Sequence, residues 1–412
     1  MQSIQAKPGF DADVLIVGAG PTGLTLGLEL QRAGVRAILI DQLASGQNTS
    51  RAAVIHAHTL EVLEGLGVAD ALLSQGLKLE GFSLRDRDHA LVALRFDELP
   101  SRHAYLLMLT QDVTERVLRD QLAQGGQQVR WGCTLCGLRD DAGGVTATVE
   151  SPAGVEIIRT HFVVGADGMH SFVRHAAGIG FSGESYEDSF VLADVDMDWG
   201  HGRDEVKLFL ATAGLLVVAP LPDGRFRLVG PVEDAPAQPG VAHIQALLDA
   251  RGPLQGAARV SAVHWSSRFR LHHRVADAYR RGRLLLVGDA AHAHSPAGGQ
   301  GMNTGIVDAV VLGRVLAEVV QGREQESYLD EYERLRRPAA QQVLELAGRL
   351  TAMATVRGRV RRRMRNALLR TAGLLPPFRR RLQMQLSGLA RRECAELRDA
   401  RPRRRAAVSA QR

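Results

Sequence analysis

The chain has 412 residues, of which 45% are hydrophobic and 23% charged, and a net charge of +6. These values are ordinary for a soluble globular protein with a core large enough for two domains or more. The N-terminal residues lack the apolar region of a secretory signal, and no uncharged apolar run reaches the ~18 residues of a membrane span, so a cytoplasmic protein without a transmembrane segment is expected. The charge is uneven. Residues 357–412 hold eighteen arginines against three acids, +15, which leaves −9 in residues 1–356. No aromatic residues interleave with these arginines for base stacking, so nucleic acid is not an expected partner. The basic tail reads as a solvated helical face, with peripheral membrane contact left open.

In chain order, residues 13–17 form a short apolar run of the kind buried in a parallel sheet. Gly18 to Gly23 then turns the chain into a helix bearing Leu24, Leu26, Leu28 and Leu30, which Gly34 ends. Residues 35–40 are the next strand, closing on Asp41, and the whole is a βαβ unit. Residues 57–67 read as a helix, and so do residues 111–124, with Val113, Val117, Leu118 and Leu122 on one face. Cys133 and Cys136 lie in strand-like sequence and read as packing residues rather than redox or zinc ligands. A strand at 161–164 runs into Gly165-Ala166-Asp167-Gly168. Strands and turns fill residues 181 to about 271, with strands at 206–210, 215–219, 225–229 and 260–270. At 284 the nucleotide-binding pattern returns, and from 305 onward the chain reads as helical.

The chemistry is concentrated in two glycine-rich segments almost 270 residues apart. In the first, Gly18 permits a tight turn, Gly20 lets the backbone approach a pyrophosphate, and Gly23 lets the helix pack close to its strand. Pro21 and Thr22 open that helix, whose N–H groups face the phosphates. Asp41, with Gln42 beside it, stands where an acid accepts hydrogen bonds from a ribose. The second segment is a buried strand ending in Gly288-Asp289, then a loop from Pro296 through Gly298, Gly299 and Gly301 to Met302 and Asn303. Asp289 is placed to accept from ribityl hydroxyls, and the helix start is placed to meet the pyrimidine edge of a flavin. Two such segments hold both ends of one long cofactor, which points to FAD. His292 and His294 are spaced i, i+2 in a loop and do not form a convincing metal pair, so no metal is expected.

Three segments carry a family resemblance: the first glycine motif, Gly165-Ala-Asp167-Gly168-Met-His-Ser171-Phe-Val-Arg174, and the stretch from Gly288-Asp289 to Asn303. In this order and spacing the chain resembles the group A flavoprotein monooxygenases, of the para-hydroxybenzoate hydroxylase and aromatic polyketide hydroxylase type. The resemblance implies an α/β fold: a Rossmann-like FAD-binding domain, a β-sheet substrate domain and a helical C-terminal region. The corresponding divisions are 1–180 for the first part of the FAD-binding domain, 181–272 for the substrate sheet, 273–345 for the return, and 346–412 for the Arg-rich helices. The resemblance gives Arg51 contact with the FAD phosphates, Gln111 contact with the cofactor, and Asp167 a part in serving FAD and NAD(P)H. It sets Pro296 beside the substrate, and with Gly298, Gly299 and Asn303 it forms the reacting end. Two departures stand out. Asp41 replaces the family's usual Glu, and none of the five tyrosines maps onto a phenol-activating pair.

The implied activity is hydroxylation of a phenolic or polycyclic, polyketide-like aromatic substrate by molecular oxygen. NADPH or NADH would reduce the FAD, and a flavin C4a-hydroperoxide would donate the oxygen. The family's flavin is thought to move between two positions, which the loop glycines suit. The alternatives are an FAD-dependent reductase or dehydrogenase on the same scaffold and a non-catalytic flavin-binding protein. A monomer or homodimer is expected.

Overall fold

The computed structural model describes residues 9–46, 52–141, 143–232, 235–256, 258–294, 298–354, 356 and 358–397. The fold is α/β, as the sequence implies. Its first sheet has a parallel core in the order Leu284–Leu286, Gly154–Gly165, Ala12–Val17, Ala37–Asp41, Val129–Trp131. All six residues of Ala12–Val17 are buried, because helices cover both faces of a parallel sheet and leave no solvent side for alternation. The strand read at 161–164 is longer than its apolar core: it starts at Gly154, and its first half pairs antiparallel with Gly144–Ser151. Polar and charged residues there hide the strand from an apolar-run reading. Cys133 packs in the core beside this sheet, whereas Cys136 is exposed.

The second sheet is mostly antiparallel, in the order His292–Ala293, Ala258–Ala276, Phe181–Trp199, Phe226–Val232, Gly214–Pro220, Glu205–Ala211, Gly81–Asp86, His89–Arg95. Its last two strands come from within residues 1–180, so the sheet crosses the sequence division at 181. The two 19-residue strands pair along their length, and the end of the second one pairs with His292–Ala293. That pairing fastens the sheet to the second glycine segment.

Alternation divides the sheet's apolar residues between two covers. Val191, Ala193, Val195, Phe226 and Leu228 pack under the Val241–Arg251 helix, through Ile244, Leu247 and Leu248. Phe190, Leu208, Leu210 and Leu215 face Leu346, Leu350, Leu369 and Leu386 of the C-terminal helices. Those helices span Asp330–Ala354, Arg359–Leu374 and Pro376–Leu386, and the first runs through the division at 345. The basic tail differs from the solvated face read in the sequence. Arg365 and Arg391 are buried, and Arg365 donates to the Met353 and Leu210 carbonyls at 2.8 and 3.0 Å. Helix packing consumes these charges at backbone carbonyls, which a charge count does not register.

The Pro21–Arg32 helix and the Gly301–Val320 helix lie against one another with unusually small residues between them. A Cβ added to Gly305 would stand 2.4 Å from Thr22 Oγ1, and one on Gly313 would stand 2.7 Å from Glu29 Cγ. Further along, Gln321 Nε2 donates to the Ala33 carbonyl at 2.5 Å. The contacts advance together along both helices, so the helices run parallel and their N-termini are side by side. Gly305→Val should therefore lower folding stability by about 1–3 kcal/mol through overpacking, read as a shifted denaturant midpoint. An unchanged midpoint would show that the helices are not this close.

Candidate active site

The first glycine loop is shaped by three distinct constraints. Gly18 has φ +104°, and a Cβ on it would lie 2.3 Å from the Ala166 carbonyl oxygen. A Cβ on Gly23 would lie 1.9 Å from the Gly18 carbonyl oxygen. These two positions are closed by the protein itself. Gly20 is different: among the described residues a Cβ there would meet no atom within 4 Å, so its side is a cradle open to a ligand. That is where a pyrophosphate on the helix N-terminus requires close backbone approach. Pro21 fills the first helical turn, where its missing N–H costs nothing, and Thr22 is wedged against Gly288 and Gly305.

Asp41 ends its strand beside this loop. Its Oδ2 accepts from the Ala19 N–H at 2.7 Å and its Oδ1 from the Leu43 N–H at 2.8 Å. The shorter acid is thus pulled onto the loop backbone, and each oxygen retains a lone pair for a ribose hydroxyl. Gln42 is exposed. Gln111 opens the Gln111–Gln124 helix, accepts from the Ala52 N–H at 3.2 Å and donates to Glu115 at 2.9 Å. It therefore braces the chain immediately after Arg51. Arg51 and Pro296 lie outside the described residues.

The second segment arrives from the buried Leu284–Leu286 strand. Gly288 turns with φ +64°, and Asp289 is exposed at the carboxyl edge of the sheet. Gly298 and Gly299 have φ +89° and +62°, a region that favours glycine, and a Cβ on Gly299 would strike Val54 at 2.3 Å. Gly301 and Met302 open the next helix, where the first N–H groups have no acceptor within the helix. Asn303 is buried, and both ends of its amide serve the backbone. Oδ1 accepts from the His56 N–H at 2.8 Å, while Nδ2 donates to Val54 and Gly299 carbonyls at 2.9 and 2.8 Å. Its side chain holds the loop. Asp167 stands between the two segments. Its Oδ2 accepts from the Val173 N–H at 3.1 Å, and burial raises its carboxyl above the usual range. Its Oδ1 is buried with no hydrogen-bond partner among the described residues.

These features fit an elongated dianionic cofactor. Two parallel helices present their positive ends to one place, with the Gly20 cradle on one side and the Gly298–Asn303 loop on the other. Residues 18–23 and Asp41 would hold the adenosine and pyrophosphate half of FAD, and Asp289 with the loop would hold the flavin half. A surface hollow lined by Gly322, Arg323, Tyr328 and Glu331 is polar and lies at the opposite end of the Gly301–Val320 helix, so it belongs to other chemistry.

Sequence reasoning missed the residues that pin the loop. His56 is buried, and its Nε2 donates to the Gly298 and Gly299 carbonyls at 3.0 and 3.2 Å. Gln300 donates to the Leu386 carbonyl at 3.0 Å and accepts from Arg391 Nη2 at 2.7 Å. Burial, then Arg391, lowers the His56 pKa to about 4, and burial, then Arg336, lowers that of Arg391 to about 10. The only sequence signal was a histidine next to Ala57 and an arginine in a charged tail. His292 is wholly structural: its Nε2 lies 2.5 Å from Asp308 Oδ2, and Asp308 Oδ1 accepts from Arg336 at 2.6 Å, all three buried. Burial opposes the Asp308 charge, but Arg336 and His292 more than offset it and hold the carboxyl below its usual range. His294 stands closer to the loop, 3.7 Å from where a Gly301 Cβ would be.

The sheet face under the C-terminal helices is apolar. Phe190 and Phe269 pack there with centroids 6.3 Å apart, beside half-buried Val217 and Val229, and Val54 of the same cluster reaches the loop at Gly299. The strands read at 206–210, 215–219 and 225–229 contribute alternate residues only to this face. Phe209, Leu216, Val218, Phe226 and Leu228 point the other way. Arg227 makes a bidentate pair with Asp194, 2.7 Å for each bond, and donates to the Ala52 carbonyl at 2.9 Å. The sheet is thereby tied to the segment that follows Arg51. Tyr279 and Tyr332 are buried beneath the first sheet, and Tyr332 donates to the Leu286 carbonyl at 2.9 Å.

The sequence matches the FAD binding domain family over residues 11–347. It is similar to pentachlorophenol 4-monooxygenase of Sphingobium chlorophenolicum, 37% identical over 352 residues, covering 82% of this chain and 64% of the relative. It is likewise 37% identical over 393 residues to 6-methylpretetramide 4-monooxygenase of Streptomyces rimosus, covering 92% of this chain and 69% of that one. The chain thus spans about two thirds of the length of these relatives. Among solved structures, p-nitrophenol 4-monooxygenase from Pseudomonas putida shares the fold with a TM-score of 0.82 at 24% identity, over 91% of this chain and 98% of that one.

The loop's buried histidines set a pH dependence. Burial, followed by the nearby arginines, lowers His56 to about 4 and His58 to about 3, against an ordinary 6.5. The unfolded chain therefore binds more protons between these limits. The stability that depends on neutral histidines is complete above pH 6.5 and is lost as pH falls toward the folded values. Denaturant unfolding at pH 5 should show about 2 kcal/mol less stability per histidine than at pH 7, and a His56→Gln variant a shallower decline. Equal stability at both pH values would mean that these rings are not buried and neutral.

Proposed function

The chain belongs to the FAD binding domain family, and we propose that within it this protein is an aromatic monooxygenase. On this reading it hydroxylates a phenolic or polycyclic, polyketide-like substrate with molecular oxygen, at the expense of NADPH or NADH. The observation that carries the reading is the meeting of the two glycine segments at two parallel helix starts, with an apolar cluster containing Val54, Phe190 and Phe269 reaching the loop at Gly299. The named relatives act, by their names, on pentachlorophenol and on 6-methylpretetramide, both aromatic.

Bound FAD supplies the activation of oxygen. The chain's own residues do the rest. Backbone N–H groups at the two helix starts hold the cofactor's negative charge, and Asp41 and Asp289 accept from its hydroxyls. Asn303, His56 and Gln300 fix the loop that carries Gly298 and Gly299, so that the reacting end is oriented without side-chain motion. Half-buried Phe269, Val217 and Val229 offer an apolar partner for an aromatic ring. Pro296, which lies outside the described residues, is the remaining candidate for substrate contact. The division 1–180, 181–272, 273–345 and 346–412 stays part of this proposal, with the Gly81–Asp86 and His89–Arg95 strands joining the second sheet and the Asp330–Ala354 helix crossing 345.

The purified protein should consume oxygen and NADPH or NADH together when given a substrate from a panel of phenols and polycyclic quinones, and yield a product heavier by one oxygen atom. Nucleotide oxidation without oxygen uptake would establish the reductase reading instead. Phe269→Ala should raise KM roughly three- to tenfold with FAD content unchanged, in line with the loss of one aromatic contact. An unchanged KM would remove that face from the substrate site.

A further inference from the structure

The Arg359–Leu374 helix is packed the wrong way round for an ordinary surface helix. Its body-facing side is polar: Arg365 donates to two backbone carbonyls, Asn366 Nδ2 donates to Asp86 Oδ2 at 2.5 Å, and Leu369 alone adds a large buried apolar group. Its outward side is apolar. Val360 is 70% exposed, Met364 68% and Leu368 70%, and they recur every four residues, so they form one stripe. Leu374, the last residue of the helix, and Leu375 just beyond it, 78% and 55% exposed, continue the exposed apolar surface. At about 100° per residue, Arg359, Arg363 and Arg370 fall along one border of this stripe and Arg361 along the other. All four are exposed.

We propose that this face docks on an anionic lipid bilayer, lying in the plane of the interface with its leucines and methionine among the acyl chains and its arginines at the headgroups. The charge is what selects the occupant. Residues 358–392 contain eleven arginines and no acid at all. A solvated helix has no need of five large exposed apolar side chains, whereas a helix with an apolar face and basic borders is the form that binds anionic interfaces. A second copy seated on the same stripe would bring two arginine borders together. Residues 398–412 carry six arginines against one acid, so they add to this charge rather than neutralise it. Nucleic acid would use the arginines and leave the apolar stripe uncovered, and the segment offers only a half-buried Phe378 for stacking. Among the described residues no helix is long and apolar enough to cross a membrane, so the contact is peripheral.

The test is flotation of the full-length, FAD-loaded protein with vesicles of phosphatidylcholine alone or doped with phosphatidylglycerol, at low and high salt. Binding to the doped vesicles only, weakened by salt, is expected. The combined variant Val360→Ser, Met364→Ser, Leu368→Ser should lose about tenfold or more of that binding at unchanged FAD content and melting temperature. The combined variant Arg361→Gln, Arg363→Gln, Arg370→Gln should lose most of its preference for phosphatidylglycerol. Three results would overturn the proposal. One is no binding to doped vesicles. The second is full binding by the triple serine variant, which would move the contact to the terminal arginines. The third is a concentration-dependent dimer in light scattering that the serine variant abolishes, which would make the occupant a second copy.

Discussion

The structure depends on two helices approaching one another almost backbone to backbone. Gly305 and Gly313 leave room for Thr22, Leu26 and Glu29, and Gly288 leaves room for Thr22 again. Side chains of ordinary size at these positions would separate the helices and pull their N-termini apart. Because the helices are parallel, their close packing superposes two positive helix ends. Neither glycine segment alone forms that site, and they come together only because the Leu284–Leu286, Gly154–Gly165 and Ala12–Val17 strands are neighbours in one parallel sheet.

Around this centre, the protein uses buried charge to fix elements that sequence keeps far apart. Arg336, Asp308 and His292 fasten the Asp330–Ala354 helix to the second segment, and Arg391 reaches Gln300 from the C-terminal end. Arg227 ties the antiparallel sheet to the residue after Arg51. Each of these groups is costly to bury unpaired, so each contact fixes position more than it adds stability. The glycine loop, whose backbone is intrinsically free, is thereby held from three sides. Any movement of a bound flavin would have to proceed without loosening His56, Asn303 or Gln300.

The sequence made the parallel βαβ unit and four strands of the second sheet, near 206–210, 215–219, 225–229 and 260–270, legible because each carries a strong local signal. Ala12–Val17 is continuously apolar, Gly18 and Gly23 have steric reasons to be glycine, and the Gln111–Gln124 helix has one apolar face. The membership of Gly81–Asp86 and His89–Arg95 in the second sheet was not legible, since strand pairing across 120 residues leaves no local mark. Nor was the role of Asn303, which reads as a cofactor ligand but spends its side chain on Val54, His56 and Gly299. His56 and Arg391 were invisible for the same reason: their partners are backbone carbonyls and an amide, brought to them only by folding. The arginine-rich end was read as uniformly solvated, yet Arg365 and Arg391 are buried and the exposed surface of one helix is apolar.

Gly20 separates the cofactor account from a purely structural one. Gly18 and Gly23 are required by the protein's own packing, whereas among the described residues the side of Gly20 meets no atom within 4 Å and its φ of −71° is open to any residue. The most direct measurement is titration of FAD into the apoprotein of the native chain and of Gly20→Val, with the melting temperature of each apoprotein recorded. The account predicts one FAD bound per native chain, and a Gly20→Val protein that melts at the same temperature but has lost that binding. A Gly20→Val protein that binds FAD as the native chain does would contradict it.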